Sequence, residues 1–305
     1  MGKAAKKVYL DTNKWIELER AQSENDASRR QIVDHVLSQV EKGLLCLPLS
    51  ITHCDEMVKH GDVKKRGSLW RLATHLSGCC AMLNKPKLLP ALIEEAVYKV
   101  FGKQLDREPA EVFTRSGLFG LEFKEPLPLT DLLMTTEYGW NHFWLDMPDE
   151  MHERLFEGLR VREEAFVKRR NELKETFREE SYELRKRAYV AALFLDMQDH
   201  YLRSLTRLGK NKMDIETLTM EDRIRLVTEV PPLDVEVSLA TQHQQQWDRP
   251  EVINDVRDIN HLCMAIPYCD VVITELYWVD KIQREKLDKK YGTQVSNDLS
   301  LLLKL

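Results

Sequence analysis

The feature that most constrains this chain is a short apolar run that stops on an acid, near each end of the sequence. Lys7-Val8-Tyr9-Leu10 is β-prone and breaks at Asp11-Thr12-Asn13, and Val271-Val272-Ile273 breaks at Thr274-Glu275. Runs this short and this uniformly apolar suit strands buried on both faces, which are the strands of a parallel sheet. The intervening sequence agrees. A helix carrying Trp15, Ile16 and Leu18 is expected after Asp11, and Ile32, Val33, Val36, Leu37 and Val40 repeat at helical spacing up to Gly43. Leu44-Leu45-Cys46-Leu47 reads as a second buried strand closed by Pro48, and Ser50 or Thr52 can cap the next helix. Strand, helix, strand, helix predicts an α/β fold with a parallel sheet flanked by helices.

Residues 241–305 return to that pattern. Pro250 suits the first turn of a helix through Asp255, Asp258 and His261 that Pro267 should end. A charged helix over 280–290 follows the strand at 271–273. Gly292-Thr293-Gln294-Val295 reads as a last strand, with Ser296 capping a terminal helix over 297–305. Residues 86–240 read as almost wholly helical. Only 12 glycines and 11 prolines occur in 305 residues, which argues against a loop-rich all-β protein. Glu153–Arg187 holds eleven basic and nine acidic side chains, well mixed. That stretch predicts a long solvated helix or helical hairpin with i,i+4 ion pairs. The alternative is a basic face for nucleic acid made of Arg169, Arg170, Arg185, Lys186 and Arg187. Tyr138, Trp140, Phe143 and Trp144 read as packing between helices, with base stacking as the alternative.

Several function classes are disfavoured. The net charge of −5 does not suit broad nonspecific coating of DNA, though it leaves room for a local basic groove. No apolar run approaches the ~18 residues of a membrane span, and no signal-type apolar stretch follows the basic residues 1–7, so no membrane partner and a cytoplasmic location are expected. Six cysteines without a Cys-x-x-Cys pair read as free thiols of a reducing compartment. No Walker-type glycine loop is present, which disfavours an NTPase, and no Gly-x-Ser-x-Gly context makes Ser50 or Thr52 a nucleophile. His53, Glu56 and His60 share a helix face at i, i+3 and i+7, but lack the His-Glu-x-x-His spacing of a zinc peptidase.

The acids are more informative. Ligands of parallel α/β sheets bind beyond the carboxyl ends of the strands. Asp11 follows the first strand, Glu56 lies one turn into the helix after the second, and Glu275 follows the strand at 271–273. The helix feeding that last strand carries Asp255 and Asp258. Clustered carboxylates repel one another, and a hard cation, Mg²⁺ or Mn²⁺, is the usual reason to gather them. In this reading Asn13 hydrogen-bonds Asp11 or a metal water, and Thr274 orients a carboxylate or a water. His261 contacts a substrate phosphate or a carboxylate, Lys14 and Lys59 hold phosphates at the rim, Asp255 is a reserve ligand, and Asp270 shapes the turn before its strand.

Val8-Tyr9-Leu10-Asp11-Thr12-Asn13, then Leu47-Pro48-Leu49-Ser50 through Glu56, then Arg257-Asp258 through Thr274-Glu275, occur in an order that resembles the PIN domain. The resemblance spans 6–85 and 250–305. It implies a Rossmann-type nuclease fold that hydrolyses RNA, less often DNA, with Mg²⁺ or Mn²⁺. Asp11, Glu56 and Asp258 would be metal ligands and catalytic residues, with Glu275 completing the acidic group. The chain departs from the family in two places. The family's Thr-x-Asp is Thr274-Glu275 here, and 202 positions separate Glu56 from Asp258. The expected organisation is therefore a discontinuous nuclease domain, 1–85 and 250–305, interrupted by a helical insertion over 86–249. That insertion would serve as a lid, a substrate arm or a dock for a regulatory protein or a second copy. A toxin-like or phage-defence ribonuclease is the implied role. The rival readings are a catalytically inactive module that binds RNA or a protein, a DNA nuclease, and a helical scaffold.

Overall fold

Val8, Tyr9 and Leu10 are all buried, as a strand covered on both faces of its sheet requires. The computed structural model describes residues 5–23, 27–58, 63–121, 133–210 and 217–305. Its strands β1 (Lys6–Leu10), β2 (Leu45–Cys46), β5 (Val271–Ile273) and β6 (Gln294–Ser296) form one parallel sheet in the order β2-β1-β5-β6. Lys7 pairs with Cys46 on one edge of β1, Leu10 pairs with Ile273 on the other, and Ile273 pairs with Ser296. The chain leaves β1 towards β2 and leaves β5 towards β6, in opposite directions. The carboxyl ends of β1 and β5 are thus a topological switch point, where a crevice opens in such sheets. A second, antiparallel pair, β3 (Ala81–Met82) with β4 (Phe113–Thr114), was not expected from the sequence. Two-residue strands carry too little pattern to be read.

The chain divides into two compact units. Unit 1 is Met1–Asn84, Val112–Arg160 and Tyr268–Leu305, and unit 2 is Lys85–Glu111 and Val161–Pro267. The first boundary lies beside the expected one, but residues 112–160 rejoin the sheet's unit and 250–267 join the helical one. Packing explains both differences. In unit 1, α1 (Thr12–Ser23) packs on α2 (Ala27–Glu41), which ends in a left-handed turn at Gly43, φ +67°. Trp70 of α4 (Val63–Ser77) meets Trp144 of α6 (Glu137–Leu145) at 6.2 Å between ring centres, and Phe119 lies 5.4 Å from Trp140. These tryptophans bury their rings, and two of the indole N–H groups find carbonyls: Trp140 donates to Met134 and Trp144 to Gly117 at 3.0 Å. The aromatic group is therefore core. Its exposed member is Tyr138, which stacks on His142. α3 (Ile51–Val58) carries the second acidic position.

Unit 2 is helical: α5 (Lys85–Val100), the greater part of α7 (Asp149–Thr176), α8 (Tyr182–Asp196), α9 (Gln198–Arg207), α10 (Met220–Thr228), α11 (Pro231–His243) and all but the last residue of α12 (Ile253–Tyr268). α12 is bound into this unit by ion pairs, Arg257 with Glu163 at 2.8 Å and Asp255 with Arg249 at 2.7 Å. The mixed-charge stretch breaks into two helices, α7 and α8, with Ser181 capping α8 through Leu184 N–H. It is not wholly solvated. Arg170 and Arg185 turn inward and are buried, and Arg169 pairs with Asp196, so the five cations proposed as a basic face do not form one.

The C-terminal elements differ in detail from expectation. The charged helix is two, α13 (Leu276–Arg284) and α14 (Leu287–Tyr291), broken where Lys286 takes a left-handed φ of 55°. The terminal helix is a 3₁₀ turn over Leu299–Lys304, capped by Asp298, which accepts from Ser300 N–H at 2.8 Å. Ser296, the expected cap, instead accepts from Asp298 N–H. None of the six cysteines forms a disulfide. No helix among the described residues is long and apolar enough to cross a membrane.

Candidate functional site

Parallel pairing puts Asp11 and Thr274 side by side, one residue beyond the paired ends of β1 and β5. The Asp11 N–H bonds the Ile273 carbonyl at 2.9 Å, and the Asp11 carbonyl accepts from Lys14 and Trp15 N–H, which starts α1. The buried Thr274 hydroxyl donates to Asp11 Oδ2 at 3.0 Å. Thr274, itself buried, thus holds one oxygen of the Asp11 carboxylate. Asn13 donates through Nδ2 to Glu275 Oε1 at 2.7 Å rather than to Asp11. The Thr12 hydroxyl donates to Glu56 Oε2. Each of the three acids therefore accepts a bond from a residue beside it or across the crevice, and three consecutive residues, Asp11-Thr12-Asn13, reach all of them.

The charges interact. Burial, then repulsion from Glu56 and Glu275, raise the pKa of Asp11 to about 6, against the opposing hydrogen bond from Thr274. Burial raises Tyr9 as well, helped by the charges of Asp11 and Glu56. The switch point is thus acidic and strained electrostatically. Replacing Thr274 by Val removes the bond that favours the ionised form, and should raise the Asp11 pKa by about one further unit; carboxyl chemical shifts followed against pH would show it. An unchanged titration would mean that the hydroxyl does not reach Asp11.

The remaining candidates are placed as follows. Asp258, half-buried, lies on α12 in unit 2, as do Asp255 and His261. Asp255 is engaged: Arg249, His243 and the Val252 N–H converge on its carboxylate, and although burial works against them they hold its pKa below the ordinary range. That removes the reason to hold it as a reserve ligand. Burial and the charge of Arg257 depress His261 to about 3, so it is neutral and cannot meet a phosphate as a cation. Lys14 pairs with Glu17 at 2.9 Å and also faces Asp298 at the end of β6. Lys59 and His60 lie outside the described residues.

His53 is a structural residue. Its Nδ1 accepts the Ser50 N–H at 3.0 Å, which leaves the proton on Nε2 for the Leu10 carbonyl at 2.9 Å. With both nitrogens used, it is no zinc ligand. Asp270 accepts the Lys7 N–H at 2.7 Å, a bond that ties the start of β5 to β1.

Sequence reasoning missed Thr12, Tyr9 and Asp298. Only the position of Thr12, directly after the strand-end acid, gave a hint of its role. A hard divalent cation fits the donor chemistry of Asp11, Glu56 and Glu275, all oxygens and one with a raised pKa. Among the described residues, no group of three or more His, Cys, Asp or Glu side chains has the arrangement of a metal site. A cleft of about 600 Å³ in unit 1, lined by Arg30, Asp34, His35 and Lys42 among others, includes none of the three acids. Comparison with family models, with curated proteins and with solved structures found no match for this chain.

Proposed function

We propose that this chain is a PIN-like, metal-dependent nuclease acting on RNA. The observation that carries the reading is the convergence of Asp11, Glu56 and Glu275 on the switch point of a parallel sheet, with the Asp11 pKa raised by the company it keeps. Asp11, Glu56 and Glu275 would hold Mg²⁺ or Mn²⁺. A bound ion of this kind supplies a polarised water and charge neutralisation at the scissile phosphate.

The protein's own residues do the positioning. Thr274 aims Asp11, Thr12 aims Glu56 and Asn13 aims Glu275. Near neutral pH the Asp11 proton is lost, and the three negative charges repel a phosphodiester until a counter-charge is present. Cleavage should therefore require the cation, and Mn²⁺ binding should weaken as pH drops through about 6, where Asp11 of the metal-free protein takes up its proton.

The second reading is an inactive module of the same fold. Its support is that Thr12 and Asn13 already satisfy one oxygen each of Glu56 and Glu275. A time course on labelled single-stranded RNA and DNA with Mn²⁺, beside EDTA, separates the readings. Metal-dependent cutting of RNA is the expected result, and preference for DNA would change the substrate. No cutting of either polymer by folded protein, together with no Mn²⁺ binding by calorimetry, would favour the inactive module.

A further inference from the structure

Unit 2 contains a group of buried cations that the acidic site does not use. Arg170 and Lys174 lie one turn apart on α7, and Arg185 and Tyr189 one turn apart on α8, so each pair shares a helix face. Arg170 is 1% exposed and Arg185 8%. The Arg185 guanidinium sits 4.5 Å from the centre of the Trp247 ring, Lys174 Nζ is 6.0 Å from the same ring, and Arg170 is 5.8 Å from the Tyr189 ring. Three cations thus gather on two aromatic rings.

Their partners do not balance them. Arg170 Nε is 2.6 Å from Glu251, a buried carboxylate. Nearby in this unit Lys85 pairs with Glu236, Arg257 with Glu163 and Arg249 with Asp255. Lys174 donates to the neutral carbonyls of Gln246 and Arg249. Arg185 Nε and Nη1 and all three Arg170 guanidinium nitrogens make no hydrogen bond among the described residues, nor do the two Glu251 oxygens, whose single charge faces three cations. Ring contact does not replace an acceptor for a guanidinium edge, and an unmet buried cation is costly. Arranged guanidinium N–H donors with net positive charge are what a tetrahedral oxyanion requires.

We infer that Arg185, with Lys174 and Arg170, forms a binding site within the helical unit for a phosphate group. The donors and the charge specify phosphate chemistry, whose source is either free phosphate or the phosphate of a nucleotide. This inference does not depend on the nuclease reading.

The test is isothermal titration of the full-length protein with inorganic phosphate and, separately, with ADP, at constant ionic strength set by chloride. Saturable binding of at least one probe is expected. Equal affinity for both identifies the free anion as sufficient, and binding of ADP alone identifies a nucleotide. Arg185→Gln should weaken binding on the order of tenfold or more, the loss of a charge-assisted bond. If that variant does not melt cooperatively, Arg185→Lys carries the test: it keeps the charge, loses the fork, and should bind measurably more weakly than wild type. No saturable binding of either probe, or affinity unaltered in the folded variant, would overturn the proposal and leave Arg185 a cation stacked on Trp247.

Discussion

Asp11→Asn should make the metal-free protein more stable at pH 7 while reducing cleavage at least a hundredfold. The stability part follows from linkage. The folded state raises the Asp11 pKa from 3.8 to about 6, so folded protein holds this proton more tightly than unfolded chain does. The group's favourable contribution is complete below pH 3.8 and is lost as pH rises through 6. A difference of about two units at about 1.4 kcal/mol each gives roughly 3 kcal/mol lost by neutral pH. Asparagine keeps an oxygen for the Thr274 hydroxyl and carries no charge to repel Glu56 and Glu275. Thermal melts should therefore separate variant from wild type by several degrees at pH 7 and bring them together near pH 4. Saturating Mn²⁺ should reverse the order, since a cation that binds only the native carboxylate stabilises wild type alone. The activity part rests on the proposed role of Asp11 and is at the scale of removing one electrostatic group from a phosphoryl-transfer site. A variant less stable than wild type at pH 7 would show that Asp11 is not repelled there, and wild-type cleavage by the variant would remove it from the site.

Trp144→Ala should cost about 3–5 kcal/mol, the scale of emptying a large buried ring. Trp144 is fully buried against Trp70, Phe119, Phe143 and Phe156, and its indole N–H is matched to the Gly117 carbonyl. The loss removes ring contacts from three separate segments of unit 1 at once. Equilibrium unfolding in urea would measure it. A cost below about 0.5 kcal/mol, the usual range for surface positions, would mean that residues 137–145 do not belong to the core of the sheet's unit. Tyr138, exposed on the same helix, is the matching control.

How much of this was legible in advance differs by element. The parallel sheet could be read because a strand buried on both faces must be apolar throughout, and Val8–Leu10 and Val271–Ile273 are. The acids at the strand ends could be read because strand breaks are local. Asp11 and Glu275 had to fall at the carboxyl edge once the strands were placed. The two-residue strands β3 and β4 could not, since their pairing depends on backbone contacts from residues far along the chain.

The charged helices show the limit most clearly. Along Glu153–Arg187 the sequence supports many i,i+4 pairs, and a face of alternating charge looks the same whether it meets water or other helices. Only the packing of α7 against its neighbours in unit 2 buried Glu163, Arg170 and Lys174, and gave Glu163 a partner 94 positions away and Arg170 one 81 positions away. The aromatic segment 138–144 likewise signalled packing but not its address. What the sequence determined alone was the α/β class, the strands at the two ends of the chain and the acids that follow them. The tertiary structure decided which unit each segment joined, which carboxylates were clamped by Thr12, Asn13 and Thr274, and which charges were buried. Those outcomes rest on contacts between residues far apart in sequence, whose energies no local pattern encodes.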